Sequence, residues 1–172
     1  MGLYLVENGV MPTTAARVAQ PTGTAIRTML QLKPLVPLKI YEWGISFNAS
    51  ALAVPVVVEL IETGTVFATV STALAEADVT KVDNPDSDLA ADVMSFGTTA
   101  TGFATAANTE GTITAVRSLD AAQFISVLSQ PTKFQFPLGT GALVRRANCA
   151  RIRVIAPADV NCRCYMKVSP TY

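Results

Sequence analysis

The stretch Leu38-Lys39-Ile40-Tyr41-Glu42-Trp43-Gly44-Ile45-Ser46-Phe47-Asn48 decides the fold class. Tyr41, Trp43, Ile45 and Phe47 fall on one side of an extended chain, with Glu42, Gly44 and Ser46 between them. A period of two belongs to a half-buried strand. Four large side chains on a common face predict a core surface. On the N-terminal side, Ile26, Thr28, Leu30 and Leu32 alternate with Arg27, Met29, Gln31 and Lys33, until Pro34 and Pro37 break the run. On the C-terminal side, Asn48-Ala49-Ser50 reads as a turn. Val54 to Ile61 then reads as a β-branched strand closed by Thr63-Gly64.

The rest of the chain repeats the pattern less cleanly. Val66 to Val70 has strand character, and Thr72 to Asp78 reads as one helical turn with Thr72 capping and Glu76 in the first turn. Asp83 to Asp88 has turn chemistry, and Val93 to Phe96 is weakly strand-like. Thr112 to Leu119 is another strand candidate, with Asp120-Ala121-Ala122 as a cap or turn after it. Phe124 to Leu128 and Lys133 to Pro137 follow, then a tight connection at Gly139 and Gly141. Arg151 to Ala156 and Cys162 to Val168 predict a terminal hairpin around Pro157-Ala158-Asp159. Its inner face takes Ile152, Val154, Cys162, Cys164, Met166 and Val168. Its outer face takes Arg151, Arg153, Arg163, Tyr165 and Lys167. Many short strands without a long helix predict an all-β fold: a single jelly-roll-like β-sandwich over residues 24–172, with a long connection at 71–111. Residues 1–23 show no period and predict an extended N-terminal arm, in which Leu3, Tyr4, Leu5 and Val6 are placed to dock on a neighbour.

Composition narrows the function classes. The chain has 172 residues, enough for one core without disulfides or metal. Half of them are hydrophobic but only 15% are charged, which excludes a wholly disordered chain. A surface so poor in charge fits burial against partners, or simply a neutral Ala- and Thr-rich exterior. Thirteen basic and thirteen acidic residues balance, so nothing draws the whole molecule to nucleic acid. Asp83, Asp86 and Asp88 lie in an acidic run, and Arg151, Arg153 and Arg163 in a basic one. These patches could meet within the chain or between copies, or remain two solvated faces. The longest apolar run, Ala51 to Val58, is too short to span a membrane, and the N-terminus lacks the layout of a secretory signal. Three cysteines do not make a disulfide framework, which points to synthesis in a reducing cytoplasm.

The search for chemistry is mostly negative. There is no histidine, hence no Ser-His-Asp or Cys-His site. Glu59 and Glu62 are three apart on a strand and point to opposite faces. Counting from Asp86, Asp88 fits a calcium-loop pattern but Ala90 and Ala91 do not. Cys149, Cys162 and Cys164 make a poor zinc set. No phosphate-binding glycine motif is present. The reading is therefore no enzyme, no cofactor and no metal.

Several segments together resemble one family: Gly23 to Leu32, Glu42 to Phe47, Val57 to Thr63, Gln135 to Gly139, Arg151 to Val154 and Ala156 to Asn161. Their order is similar to that in small virion proteins of tailed bacteriophages, the minor capsid or head-decoration proteins. The resemblance implies a jelly-roll-like domain, often a homotrimer, on the outside of a capsid. Its partners would be the major capsid protein and copies of itself, without nucleic acid or membrane. The candidate assembly contacts are then Leu3, Tyr4, Leu5, Val6, Asp83, Asp86, Asp88, Arg151, Arg153 and Arg163. A carbohydrate-binding module, with Tyr4, Trp43, Tyr165 and Tyr172 as candidate platforms, and a tail or neck component are the competing expectations.

Overall fold

The computed structural model describes residues 2–48, 55–83, 88–105, 109–112, 114–125, 131–137 and 139–171. Among them the strands in chain order are β1 (Tyr4–Glu7), β2 (Gln20–Pro21), β3 (Arg27–Leu32), β4 (Leu38–Phe47), β5 (Val56–Thr63), β6 (Thr72–Ala73), β7 (Thr80–Lys81), β8 (Gly102–Phe103), β9 (Ala115–Phe124), β10 (Thr132–Gln135), β11 (Ala142–Val144), β12 (Cys149–Ile155) and β13 (Asn161–Pro170). A single 3-10 turn covers Glu76–Asp78. The Asp78 carboxylate accepts from the Ala75 amide at 2.9 Å, whereas Thr72, the expected cap, belongs to β6.

Two antiparallel sheets face each other. The first runs β10-β4-β13-β1-β7 and the second β6-β8-β3-β12-β5-β9. Eight of the strands have four residues or more. Taken in chain order, they fall as first-eighth-third-sixth in one sheet and second-seventh-fourth-fifth in the other. Chain neighbours repeatedly land in opposite sheets, which is the double Greek key of a jelly roll. The expected all-β sandwich is thus what the chain forms. The core lies between the sheets, where Met29, Leu30, Leu38, Ile40, Trp43, Leu60, Ile152 and Met166 are fully buried. Burying each such side chain contributes roughly 1.5–3 kcal/mol.

Several local expectations change for physical reasons. The β4–β13 register slips between Lys167 and Val168, which leaves Tyr41 as an extra residue. This bulge reverses parity, so Leu38 and Ile40 enter the core with Trp43, Ile45 and Phe47, while Tyr41 is only half-buried. Asp120, Ala121 and Ala122 do not turn the chain. They lie within the ten-residue β9. Val66 to Val70 and Val93 to Phe96 form no strands, only isolated bridges at Thr69 and Met94. The terminal hairpin does not exist either: β12 pairs with β3 and β5 in one sheet, and β13 with β4 and β1 in the other. Pro157-Ala158-Asp159 crosses between the sheets. The turn at 49–50, Asn84 to Ser87 and the 126–128 part of Phe124 to Leu128 lie outside the described residues.

Candidate functional site

Leu3, Tyr4, Leu5 and Val6 do not form the free extended arm that was expected. Tyr4 to Glu7 form β1, an interior strand between β13 and β7, with Tyr4 opposite Val168 and Val6 opposite Met166. Tyr4 and Val6 are core residues; Leu3 and Leu5 are half-buried. The buried Asn8 extends the pairing beyond the strand. Its Oδ1 accepts from the Cys164 amide at 2.7 Å, and its own amide donates to the Cys164 carbonyl at 3.0 Å. Four apolar residues followed by Glu7-Asn8-Gly9 read equally well as a strand and its exit. Strand partners as distant in the chain as Thr80–Lys81 and Tyr165–Val168 leave no local signal.

Arg151 also leaves the predicted open face. It points away from the core, as parity requires, yet it is fully buried. The connection between β5 and β9 folds over the outer face of the second sheet and covers it. Arg151 Nη2 donates to the Val66 carbonyl at 2.7 Å, and Nη1 to the Glu110 carbonyl at 3.2 Å. The Glu110 carboxylate lies 3.7 Å away and also accepts from the Thr28 amide and hydroxyl. Gln31 grips the same connection: its amide donates to the carbonyls of Ala68 and Ala100, and its Oε1 accepts from the Ala68 amide at 2.9 Å. Burial pushes the Arg151 pKa down, against the opposing pull of Glu110. The same burial drives the Cys149 thiol up to about 11, more than the nearby Arg151 charge can offset.

Arg153 and Arg163 do remain outward. Arg153 pairs across the strands with Glu59 at 2.6 Å and is half-buried. Arg163 is exposed on the other sheet and meets Glu7 at 3.0 Å, where Glu7 also holds the well-buried Arg17. Next to them the Tyr165 hydroxyl donates to Glu42 at 2.5 Å, and Lys167 lies 3.0 Å from the same carboxylate. Burial would raise the Glu42 pKa, but the hydrogen bonds from Tyr165 and Lys167 outweigh it and hold the pKa below its usual value. Burial and the Glu42 carboxylate both push the Tyr165 phenol upward. The Tyr165 ring lies over Gly44, where a Cβ would come within 2.5 Å of it.

Two polar arrangements were not anticipated. Glu62, fully buried, accepts four hydrogen bonds: Arg145 amide at 3.0 Å, Asn148 Nδ2 at 2.8 Å, and Arg117 Nε and Nη2 at 2.7 and 2.5 Å. Burial raises its pKa, but these donors together bring it below the usual value. Trp43 stacks on Phe134 at 4.4 Å between ring centres and donates to Asp120 of the opposite sheet at 3.0 Å. Neither could be read from spacing, because the partners are 55 or more residues apart.

The acidic run does not meet the basic one among the described residues. Asp83 is exposed, Asp88 pairs with Lys81 at 3.1 Å, and Asp86 lies outside the described residues. No group of three or more acidic or thiol side chains gathers to hold a metal among the described residues. The three cysteines are buried and unbridged. A cavity of about 400 Å³ opens between the 9–18 segment and Phe103, lined by Val10, Met11 and Val18. Among the described residues, no helix is long and apolar enough to cross a membrane. Comparison with family models, characterised proteins and solved structures gave no match.

Proposed function

We propose that this chain is a non-enzymatic structural protein of a virus particle, decorating or cementing a tailed-phage capsid by contacts repeated over many copies. The observation that carries this reading is the strand order of the two sheets, which is that of the jelly roll. Capsid and lectin domains use this architecture, and the step from fold to role is an analogy. The charged side chains support it, because they are spent on holding the fold. Glu62, Glu42, Arg151 and Arg153 are all engaged within the chain. The partners in this reading are the major capsid protein and further copies of the chain, in the trimer that the resemblance implies. Individually weak contacts then gain by avidity.

A second reading, a sugar-binding module, is favoured by one observation. Tyr165 lies flat on the sheet between the Glu7–Arg163 and Glu42–Lys167 pairs. Trp43 is fully buried and unavailable as a platform. Quantitative mass spectrometry of purified particles, with density located by electron microscopy, tests the first reading. A stoichiometric copy number on the capsid exterior is expected. Absence from the particles, together with selective binding on a glycan array, would replace it with the second.

A further inference from the structure

The covering connection does not reach the far end of the second sheet. Beyond Arg153 and Glu59, the outer face carries apolar side chains on β12 and β5 and just past the ends of β3 and β9, where the register sets Gln123 opposite Val57 and Ile125 follows two residues on. Ile26, just before β3, is 38% exposed, Ile155 at the end of β12 39%, and Ile125, just after β9, 49%. Val57 of β5, half-buried, stands between them, directly opposite Ile155. Isolated exposed apolar residues need no explanation, but several gathered at one end of a sheet face do.

The neighbouring row identifies the occupant. Arg153 is opposite Glu59 in the same register that puts Ile155 opposite Val57. A two-fold axis lying between two such faces and running along the strands, between β12 and β5, superposes β12 of one copy on β5 of the other. Ile155 then meets the partner's Val57, and Arg153 meets the partner's Glu59. Ile26 falls near the partner's Gln123 and Ile125. Like pairs with like apolar surface, and Arg153, whose side chain keeps 13% exposure in its own pair with Glu59, faces a second carboxylate rather than another cation. A self-complementary patch is what an isologous contact requires. Sheets packed face to face in this way lie about 10 Å apart and about 30° from parallel. A formal net charge of zero removes long-range repulsion between copies.

We propose that the Ile26–Ile155–Val57–Ile125 row is a two-fold interface with a second copy of this chain. The inference builds on the assembly reading only in that the chain works in many copies; self-association and particle binding are separate readouts. The contact joins pairs of chains, or pairs of trimers where a three-fold contact is also made.

Sedimentation equilibrium of the full chain over a concentration series up to about 1 mM tests this. An even-numbered species is expected, and Ile155→Asp should halve its mass while leaving the circular dichroism unchanged. Arg153→Glu should weaken association by about tenfold or more, and adding Glu59→Arg should restore it. Should Ile155→Asp fail to fold, Ile155→Cys chains are mixed with Val57→Cys chains under oxidation: covalent heterodimer in excess of either homodimer is expected, and the absence of such an excess would overturn the interface. A monomer at every concentration, or an oligomer whose mass Ile155→Asp does not change, would overturn the interface. Either result leaves the particle test to decide the assembly reading.

Discussion

Strands β12 and β13 carry the same alternation of apolar and basic residues, yet the sandwich uses their arginines in different ways. Arg151 sits in the middle of its sheet beneath the covering connection, with no exposed surface. Arg163 sits on the uncovered face of the other sheet, 45% exposed and paired with Glu7. Side-chain parity, which both strands obey, sets only whether a residue faces the core. Whether an outward residue meets water depends on what the rest of the chain lays over it.

The largest effect expected is at Arg151. Arg151→Ala leaves the buried Val66 carbonyl without this donor and the Glu110 carboxylate without its cation, though still held by Thr28, at a cost of about 3 kcal/mol. Arg151→Met, which keeps the packing volume, should cost less. Urea unfolding of both measures this, and a loss at Arg151 no larger than at Arg163 would erase the contrast. Glu62 sharpens it, being another charged side chain that the fold encloses. Glu62→Gln should cost about 2 kcal/mol at neutral pH, since it weakens hydrogen bonds to a buried charge. The folded pKa of Glu62 is depressed, so its carboxylate adds stability above the unfolded value of about 4.3. That contribution fades as pH falls through the folded pKa. Unfolding midpoints from pH 7 to pH 2 should therefore fall less steeply for Glu62→Gln than for the wild type.

Two smaller effects bracket the exposed end of the comparison. Asp120→Ala removes the acceptor of the Trp43 indole and should cost about 1 kcal/mol, read as a shift of the urea midpoint. Arg163→Ala breaks an exposed pair and should cost no more than about 0.5 kcal/mol, falling further in high salt. A salt-independent loss above 1 kcal/mol at Arg163, by the usual scale of exposed pairs, would place it with Arg151.

Much of the core was legible. Trp43, Ile45, Phe47, Ile152, Val154, Cys162, Cys164, Met166 and Val168 were expected inward and are buried. Tyr41 was not, because a bulge adds one residue without leaving any mark in the alternation. The candidate contacts were harder to read. The pattern of Leu3 to Val6 suits an arm and a strand alike, and only the free register of β13 and β7 decides for the strand. The apolar row was hidden because Ile26, Val57, Ile125 and Ile155 are unremarkable singly. Only the pairing of β12 with β5, and the strands on either side of them, brings these residues to one end of the sheet.

The sequence by itself determined that the chain is all-β, much of what faces the core, and that histidine chemistry is absent. These follow from local rules, since alternation is set by the backbone and composition by counting. The tertiary structure decided which strands share a sheet, what covers Arg151, and where a row of apolar side chains stays open. Strand pairing and loop packing join residues far apart in the chain, 41 positions for Arg151 and Glu110 and 94 for Arg153 and Glu59, and nothing in a local pattern encodes such pairings.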